Sequence, residues 1–385
     1  MPDMVTHVDI AIAGAGPVGM ATAAMLIQRG MQPSRIALID AKSPADAEKD
    51  PRSIALSQGS RQLLEQVSAW TSSGTPITEI HVSRRGSFGR TLIEAAAYGL
   101  PALGYVCRYG SVVRALDAAL ADKDIRMLRP ARLTHFTETN EQVQLQMDDG
   151  SSVHAALLVQ AEGGLYGTQT ARARQRDYQQ TAIIAQVQAD AAPPGRAFER
   201  FTAEGPLALL PQDESYSLVW CVRPDTAEKL LALNDASFLR ALQQAFGQRV
   251  GTFTSISARH AYPLGLNALD STADSATART VAIGNAAQTL HPVAGQGLNL
   301  GLRDAAVLAA QLARDPSPAS LARFIRERRN DRSTTVRLTD LMARVFASGP
   351  DRSLSQGMLG AFLGLVDVLP PAKRWLAAQM MYGSR

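Results

Sequence analysis

The chain has 385 residues, which is enough for two domains with separate cores. Its net charge of +4, from 39 basic and 35 acidic residues, is too small to indicate a protein that binds nucleic acid. The two cysteines, Cys107 and Cys221, lack metal or CxxC spacing, so we expect small core residues in a reducing cytoplasm and no metal site.

A glycine-rich turn follows the first predicted strand. Alternating apolar residues predict a strand at 8–13, the sequence GAGPVG follows at 14–19, and a helix with one apolar face is expected over 17–29. Gly14 permits the tight turn, Gly16 lets the backbone approach a pyrophosphate, and Gly19 allows close helix packing. Asp40 ends a second strand at 35–39, about 20 residues on, where an acid binds a ribose hydroxyl. A purely structural turn is the alternative, but strand, helix and acid together favour a dinucleotide site.

The middle of the chain predicts a split α/β organisation. Further strands are expected at 125–129, 142–147, 156–161 and 280–284, and further helices at 53–68, 111–121 and 298–313, which indicates a mainly parallel sheet. Asp149-Gly150 predicts a hairpin turn. Longer strands at 181–187 and 216–222 indicate an inserted, more antiparallel domain. We therefore predict a Rossmann-like FAD-binding domain (1–75, 103–178 and 264–345), an inserted α+β substrate domain (76–102 and 179–263) and a C-terminal helical segment (346–385).

A second glycine-rich motif, GNAAQTLHPVAGQGLNLG, occupies residues 284–301. A short strand precedes it, and the spacing of Leu298, Leu302 and Ala305 predicts a helix after it. The loop between them carries two glycines, so its backbone can lie against a planar ring, and the positive helix end can stabilise a reduced flavin. An ordinary strand-loop-helix connection is the alternative, but it leaves the glycine and proline content of the loop unexplained. Together the two motifs predict FAD.

Four stretches carry a family resemblance: the first glycine motif, DPRSIALS at 50–57, residues 284–305, and GRAFERF at 195–201 followed by GPLALLP at 205–211. They resemble the class A flavoprotein aromatic hydroxylases, and within that group the ubiquinone-biosynthesis hydroxylases that act on a polyprenyl methoxyphenol. The resemblance runs from about residue 5 to 345.

The resemblance implies cofactor-binding roles for thirteen residues and catalytic roles for two. The cofactor-binding residues are Gly14, Gly16, Gly19, Asp40, Arg52, Arg108, Gly284, Asn285, Gly295, Gln296, Gly297, Leu298 and Asn299. His291 and Pro292 are the catalytic candidates. His291 could assist phenol deprotonation, but a loop histidine bonded to backbone is the interpretation we favour. Two departures from the wider family are Glu162-Gly163 in place of Asp-Gly, which puts the NAD(P)H role of that region in doubt, and Asn285 in place of Asp.

The reaction implied by the resemblance uses NAD(P)H, O2 and a flavin C4a-hydroperoxide to hydroxylate a polyprenyl phenol. The protein would hold the ring in line and exclude water. Two other functions are alternatives. A flavin-dependent reductase or dehydrogenase would keep both motifs, whereas a non-catalytic component of a ubiquinone-biosynthesis complex would keep the fold and lose the phosphate glycines, which are present here.

The C-terminal residues are less informative. The longest apolar stretch, 358–369, contains Asp367 and is shorter than the ~20 residues that span a bilayer, and no secretory signal is evident. We expect a cytoplasmic protein. Apolar residues of 354–381 next to Lys373 and Arg374 fit two interpretations: a surface for partner enzymes or for the inner face of the cytoplasmic membrane, and an ordinary packed helix pair.

Overall fold

The computed structural model describes residues 5–84, 90–162, 173–269, 277–291, 295–347, 378 and 381–383. The strands are β1 (Val5–Ala13), β2 (Ile36–Ile39), β3 (Ser53–Ser57), β4 (Thr75–Ile77), β5 (Glu79–Arg84), β6 (Arg90–Glu94), β7 (Gly104–Arg108), β8 (Arg126–Leu128), β9 (Leu133–Glu138), β10 (Val143–Met147), β11 (Ser152–Gln160), β12 (Ala173–Ala189), β13 (Arg196–Phe201), β14 (Pro206–Gln212), β15 (Ser215–Val222), β16 (Phe253–Ile256), β17 (His260–Leu269), β18 (Thr280–Ala282) and β19 (Gln288–Thr289). The helices are α1 (Pro17–Gln28), α2 (Pro44–Glu48), α3 (Gln58–Gln66), α4 (Tyr109–Ala121), α5 (Pro224–Leu231), α6 (Asp235–Phe246), α7 (Gln296–Leu312) and α8 (Pro318–Ala347). None of these helices combines the length and apolarity needed to cross a bilayer.

The first glycine motif belongs to a seven-stranded sheet with the order β8-β2-β1-β11-β10-β9, in which β18 also pairs with β11. Strands β8, β2, β1, β11 and β18 are parallel, whereas β10 and β9 are antiparallel additions. Apolar residues of β1, α1, α4 and α7 form its core. The expected mainly parallel sheet is confirmed, and the hairpin at Asp149-Gly150 joins β10 to β11.

A nine-stranded sheet, ordered β19-β17-β12-β15-β14-β13-β5-β6 with β16 beside β12, forms the second layer. It is antiparallel except for the β13 and β5 pair. Helices α5 and α6 cover one face through a core that includes Phe198, Trp220 and Phe238. The longer strands predicted at 181–187 and 216–222 lie within β12 and β15. The predicted domain boundaries at 178/179 and 263/264 fall inside β12 and β17, and they stay a prediction.

A three-stranded sheet, β3-β7-β4, contacts the core of the parallel sheet and the uncovered face of the nine-stranded sheet. Leu56 and Cys107 belong to the core of the parallel sheet, while Ile77 and Val106 pack against Ala197 of β13. The two larger layers therefore meet across this small sheet. The cysteines predicted to be core residues are both buried thiols.

The predicted helix over 53–68 is wrong in its first five residues. Ser53–Ser57 is the strand β3, which pairs with β7, and the helix α3 starts only at Gln58. Ser57 caps that helix, since its Oγ accepts a hydrogen bond from the Ser60 N–H. Ile54 and Leu56 are two residues apart, which is the spacing of side chains on one face of a strand.

Candidate active site

The first glycine motif forms a tight connection between β1 and α1. Gly14 has φ of +103°, and a Cβ there would lie 2.6 Å from the backbone of Ala161 and Glu162. A Cβ on Gly19 would overlap the Gly14 carbonyl oxygen. A Cβ on Gly16 would meet only the Tyr109 hydroxyl, at 3.4 Å. Gly14 and Gly19 are therefore required by packing, whereas Gly16 leaves open space beside the helix N-terminus.

That open space suits a phosphate. Gly16 is the N-cap of α1, no side chain caps the helix, and its first turn contains no acidic residue. The N–H groups of a helix start and the helix dipole favour an anion. Asp40, at the end of β2, accepts hydrogen bonds from the Ala15 and Lys42 N–H groups, both at 2.7 Å. Its carboxylate keeps further acceptor capacity for the ribose contact that the sequence predicts.

Glu162 closes the other side of this turn. Burial, followed by the negative charge of Asp40, raises the pKa of Glu162 to about 7. Glu162 is therefore only partly ionised near neutral pH.

The second glycine motif lies against the first. Val18 of α1 is the contact, because a Cβ on Gly301 would lie 2.7 Å from Val18 Cγ2 and one on Gly284 would lie 3.2 Å from it. Gly295 is the N-cap of α7, with φ of +59°, no side-chain cap and no acid in the first turn. The two motifs, far apart in the sequence, therefore present two uncapped helix starts on one side of the fold.

Asn299 anchors the second motif to the three-stranded sheet. Its Oδ1 accepts from the Ser57 N–H at 2.8 Å and from Ser60 Oγ at 2.7 Å. Its Nδ2 donates to the carbonyl oxygens of Ala55 at 3.0 Å and Gly295 at 2.7 Å. These four bonds fix the start of α7. The contact of Asn299 with the ring stays a prediction.

Gln296 and Asn299 line an apolar cavity of about 70 Å³. Its other walls come from β3, β4, β5, β6, β7 and the C-terminal residues: Ala55, Leu56, Ser57, Ile77, Ile80, Ile93, Leu103, Gly104 and Met381. Met381 is 5% exposed and packs with Ile93 and Leu103. At this residue the C-terminal segment packs inward; residues 348–377 lie outside the described part of the chain.

His291 is buried at the far end of the loop. Its Nε2 donates to Gln180 Oε1 at 2.9 Å, and Tyr178 lies edge-on to its ring at 5.1 Å. Burial lowers the pKa of His291 to about 4. The imidazole is therefore neutral at physiological pH and is bonded to a side chain, while the backbone bond that we favoured stays a prediction. Pro292 lies outside the described residues.

The predicted arginines lie in a cleft of about 420 Å³ between the parallel sheet and the nine-stranded sheet. Arg52 forms a two-pronged pair with Asp50 and lies 4.9 Å above the Tyr109 ring. Arg108 pairs with Asp213 at 2.8 Å. Both arginines are thus already paired with carboxylates at the cleft wall, and their predicted contacts with the cofactor stay predictions.

The remaining predicted residues lie near the second motif. Asn285 is exposed, and a Cβ on Gly297 would lie 3.9 Å from its Oδ1, so the two face each other. Leu298 packs against the core of the parallel sheet.

A buried charge cluster that the sequence does not predict lies behind this motif. Asp304 of α7 is fully buried and accepts from Arg328 Nε at 2.8 Å and Arg332 Nη2 at 2.9 Å. Arg332 also donates to the Ala282 carbonyl oxygen of β18 at 3.2 Å. The cluster therefore ties α8 to both elements that flank the loop. Local sequence carries no sign of it, because the partners are 24 to 28 residues from Asp304 and meet only through the packing of α7 on α8.

Comparison with known proteins agrees with this geometry. A family model described as FAD binding domain matches residues 7–336. Ubiquinone hydroxylase UbiL of Rhodospirillum rubrum is 33% identical, with 95% of this chain and 87% of that protein aligned. The 3-demethoxyubiquinol 3-hydroxylase of Escherichia coli is 30% identical over 77% of each chain. The crystal structure of p-nitrophenol 4-monooxygenase PnpA from Pseudomonas putida shares the fold, with a TM-score of 0.77 at 14% identity over 99% of this chain and 100% of that one. The chain therefore belongs to the FAD binding domain family, in its group of FAD-dependent monooxygenases.

Proposed function

We propose that the chain hydroxylates the ring of a polyprenyl methoxyphenol in ubiquinone biosynthesis, with NAD(P)H as reductant and O2 as the oxygen source. The observation that carries the proposal is the meeting of the two glycine motifs, through Val18, beside an apolar cavity lined by Gln296. The names of two relatives, at 33% and 30% identity, supply the pathway.

The residues have separate tasks in this proposal. Bound FAD supplies the electron transfer and oxygen activation, which is cofactor chemistry. The uncapped start of α1 and Asp40 hold its dinucleotide end, and the uncapped start of α7 provides a positive end near the ring. The apolar walls of the cavity, from Ile77 to Met381, exclude water and offer an apolar surface to part of the substrate; at about 70 Å³ the cavity alone is smaller than the whole substrate.

The proposal is tested by the quinone-lipid profile of a strain that lacks the gene and is complemented with the wild type, Gly16→Trp or Gly16→Ala. Gly16 has an ordinary φ of −76° and room for a Cβ, so both variants should fold. The indole of Gly16→Trp fills the space expected for the pyrophosphate, whereas Gly16→Ala is its matched control.

Rescue by the wild type and Gly16→Ala, with accumulation of a polyprenyl methoxyphenol in the Gly16→Trp strain, is the expected result. Rescue by a folded, FAD-free Gly16→Trp protein indicates a non-catalytic component of a complex. An unchanged profile removes the chain from this pathway. A flavin reductase would oxidise NAD(P)H without forming hydroxylated product.

We also place the protein in the cytoplasm, meeting its lipid substrate at the inner face of the membrane or within an enzyme complex. The apolar tail of the proposed substrate supports such a contact, since a lipid of this kind resides in the bilayer. Flotation of the purified protein with vesicles, compared with a chain truncated after Ala347, tests the membrane alternative.

A further inference from the structure

Glu199 has no task in the proposed function, although it lies in the GRAFERF stretch that carries the resemblance. It is the fourth residue of β13. The next residue, Arg200, donates from Nε to the Ala245 carbonyl oxygen at the end of α6. Because side chains alternate along a strand, Glu199 points to the opposite face of the sheet.

That opposite face is turned toward the FAD-binding part of the fold. Gln186 of β12 and Gln212 of β14 have the same orientation, and both hydrogen-bond with Ser53 of β3. Their bonds fix which way this face of the nine-stranded sheet is directed. Glu199 is therefore an acidic side chain on the wall that faces the candidate active site.

The register of the sheet locates Glu199 along this wall. Val82 and Ala208 flank it on the neighbouring strands. On one side along the strand, Ala197 packs against Ile77 and Val106 of the small sheet. In the other direction along the strand, Phe201 is two residues after Glu199 on the same face and lies opposite Pro206 of β14.

The loop of the second motif is anchored on both sides of the row formed by Ala197, Glu199 and Phe201 on β13. His291 bonds to Gln180, which lies at the end of the wall beyond Phe201 and beside Gly205. At the other end of the loop, a Cβ on Gly295 would contact Ala55 at 3.2 Å, and Ala55 packs with the Ala197 cluster. The two ends of the loop that the sequence assigns to the flavin ring thus lie on opposite sides of Glu199.

The surroundings of Glu199 are those of a site and not of an ion pair. The residue is partly exposed, but its Oε1 is buried and has no hydrogen-bond partner among the described residues. Burial alone raises its pKa to about 8. The titratable groups on the same face include the Cys221 thiol of β15, whose pKa is raised by burial and then by Glu199, and Arg84 of β5, which lies opposite Phe201. By the register of β12 with β15 and β17, Tyr262 and His260 of β17 are on this face as well. A buried acceptor without a partner is costly unless a ligand completes it.

We propose that Glu199 binds the hydroxyl group of the phenol substrate and accepts its proton during hydroxylation. The inference rests on the proposed function, because it assigns a residue to that reaction. In the step, the phenol O–H bond breaks, an O–H bond forms on Glu199, and the electron pair stays on the phenol oxygen. The resulting phenolate ring is more electron-rich and reacts more readily with an electrophilic oxygen. After oxygen transfer, Glu199 returns this proton to the phenolate oxygen, and the ring hydrogen that was replaced leaves as a proton.

The raised pKa of Glu199 suits proton transfer from the phenol hydroxyl group. A phenol has a pKa of about 10, so an ordinary glutamate with a pKa of 4.5 would face a gap of more than about 5 units. At a pKa of about 8 the gap falls to about 2 units. Glu199 is then protonated in most molecules at pH 7, and the ionised form that accepts the proton grows through pH 8.

The test compares the FAD-loaded wild type with Glu199→Gln, and with Glu228→Gln as a matched control. Glu228 is an exposed acid on α5, on the other side of the same sheet. The substrate is 2-methoxyphenol carrying a short prenyl chain, and kcat/KM for hydroxylated product is measured from pH 6 to 9.5. The wild type and Glu228→Gln should rise through an inflection near pH 8. Glu199→Gln should lose the inflection and about 100-fold or more in kcat/KM.

A binding measurement keeps the inference separate from the proposed function. The Kd values of this phenol and of its methyl ether, which has no O–H, are measured by flavin fluorescence for the wild type and Glu199→Leu. We expect the wild type to prefer the phenol by about 10-fold, and Glu199→Leu to bind both alike.

Wild-type activity retained by Glu199→Gln within threefold, with the same inflection, overturns the inference. If the wild type forms no product, the proposed function fails and the binding data decide: a preference lost in Glu199→Leu supports the phenol contact. If both proteins prefer the phenol over the methyl ether equally, or if the wild type has no preference, the contact between Glu199 and the phenol is rejected.

Discussion

Replacing Asp304 with Asn should destabilise the protein strongly, because Asp304 is the carboxylate that two buried arginines share. The side chain of Asp304 is fully buried. Its partners are almost as deeply buried, since Arg328 is 4% exposed and Arg332 is 8% exposed. Removing one partner of a buried ion pair typically costs about 3–5 kcal/mol, because the charge left behind loses its compensation. In Asp304→Asn that charge is on Arg332, since Arg328 keeps Asp331 as a second partner. Large domains lose about 2 °C in Tm per kcal/mol, so Tm should fall by about 6–10 °C.

The control is Asp315→Asn on the loop between the same two helices. Asp315 pairs with Arg323 at 3.0 Å, but the two side chains are 47% and 42% exposed. Exposed pairs contribute little because water screens them, so Tm should change by no more than about 2 °C. Both variants are compared by thermal unfolding of the FAD-loaded protein at pH 7.

The pH dependence gives a second check. Burial raises the pKa of Asp304, but the positive charges of Arg332 and Arg328 outweigh it and lower the pKa below its ordinary value of 3.8. Its contribution is therefore fully present above about pH 5 and is lost as the pH falls through the lowered pKa. The gap between wild type and Asp304→Asn should stay constant from pH 5 to 8 and narrow in stronger acid. Equal Tm losses for Asp304→Asn and Asp315→Asn at pH 7 would refute the reasoning.

Three further predictions concern the cofactor end and the loop. Gly19→Ala should abolish FAD binding, because its Cβ would overlap the Gly14 carbonyl oxygen. Gly30→Ala has open space for its Cβ but a φ of +95° that strains alanine, so this control should lower Tm and still keep FAD; the flavin absorbance of the purified proteins decides. The FAD affinity of the wild type should fall as Glu162 ionises through pH 7, since a second negative charge then faces the phosphates, and Glu162→Gln should flatten a titration of Kd against pH. His291 has a folded pKa of about 4, against 6.5 unfolded, so the wild type should lose stability on the order of 3 kcal/mol between pH 6.5 and 4. A His291→Gln variant with the same acid-induced fall in Tm would contradict this.

The sequence was most predictive where chemistry is local. The turn at Gly14 to Gly19 and the acid at Asp40 are fixed by neighbours within one βαβ unit, so spacing alone identified them. Helix α7 begins at Gln296, two residues before the predicted start at 298. Gly295 takes the left-handed conformation that ends the loop, and the helix begins directly after it. Periodicity failed at Ser53–Ser57, where a five-residue strand leads directly into a helix.

Long-range contacts were beyond the sequence. The bond from His291 to Gln180 joins residues 111 apart, and the cluster around Asp304 depends on how α8 packs on α7. Glu199 stood in a stretch that carried the resemblance, but its significance depends on the register of β13 with β5 and β14 and on the absence of a partner for Oε1 among the described residues. None of these facts has a local sequence signal.

The central claim, oxygen transfer to a phenol ring, is tested most directly by isotope incorporation. The FAD-loaded protein is given NAD(P)H, the prenylated 2-methoxyphenol and 18O2, and the product is analysed by mass spectrometry. The account predicts a hydroxylated product that carries one 18O atom, formed in step with NAD(P)H oxidation. Oxidation of NAD(P)H with no labelled product, while the protein holds FAD, would contradict it and indicate a reductase.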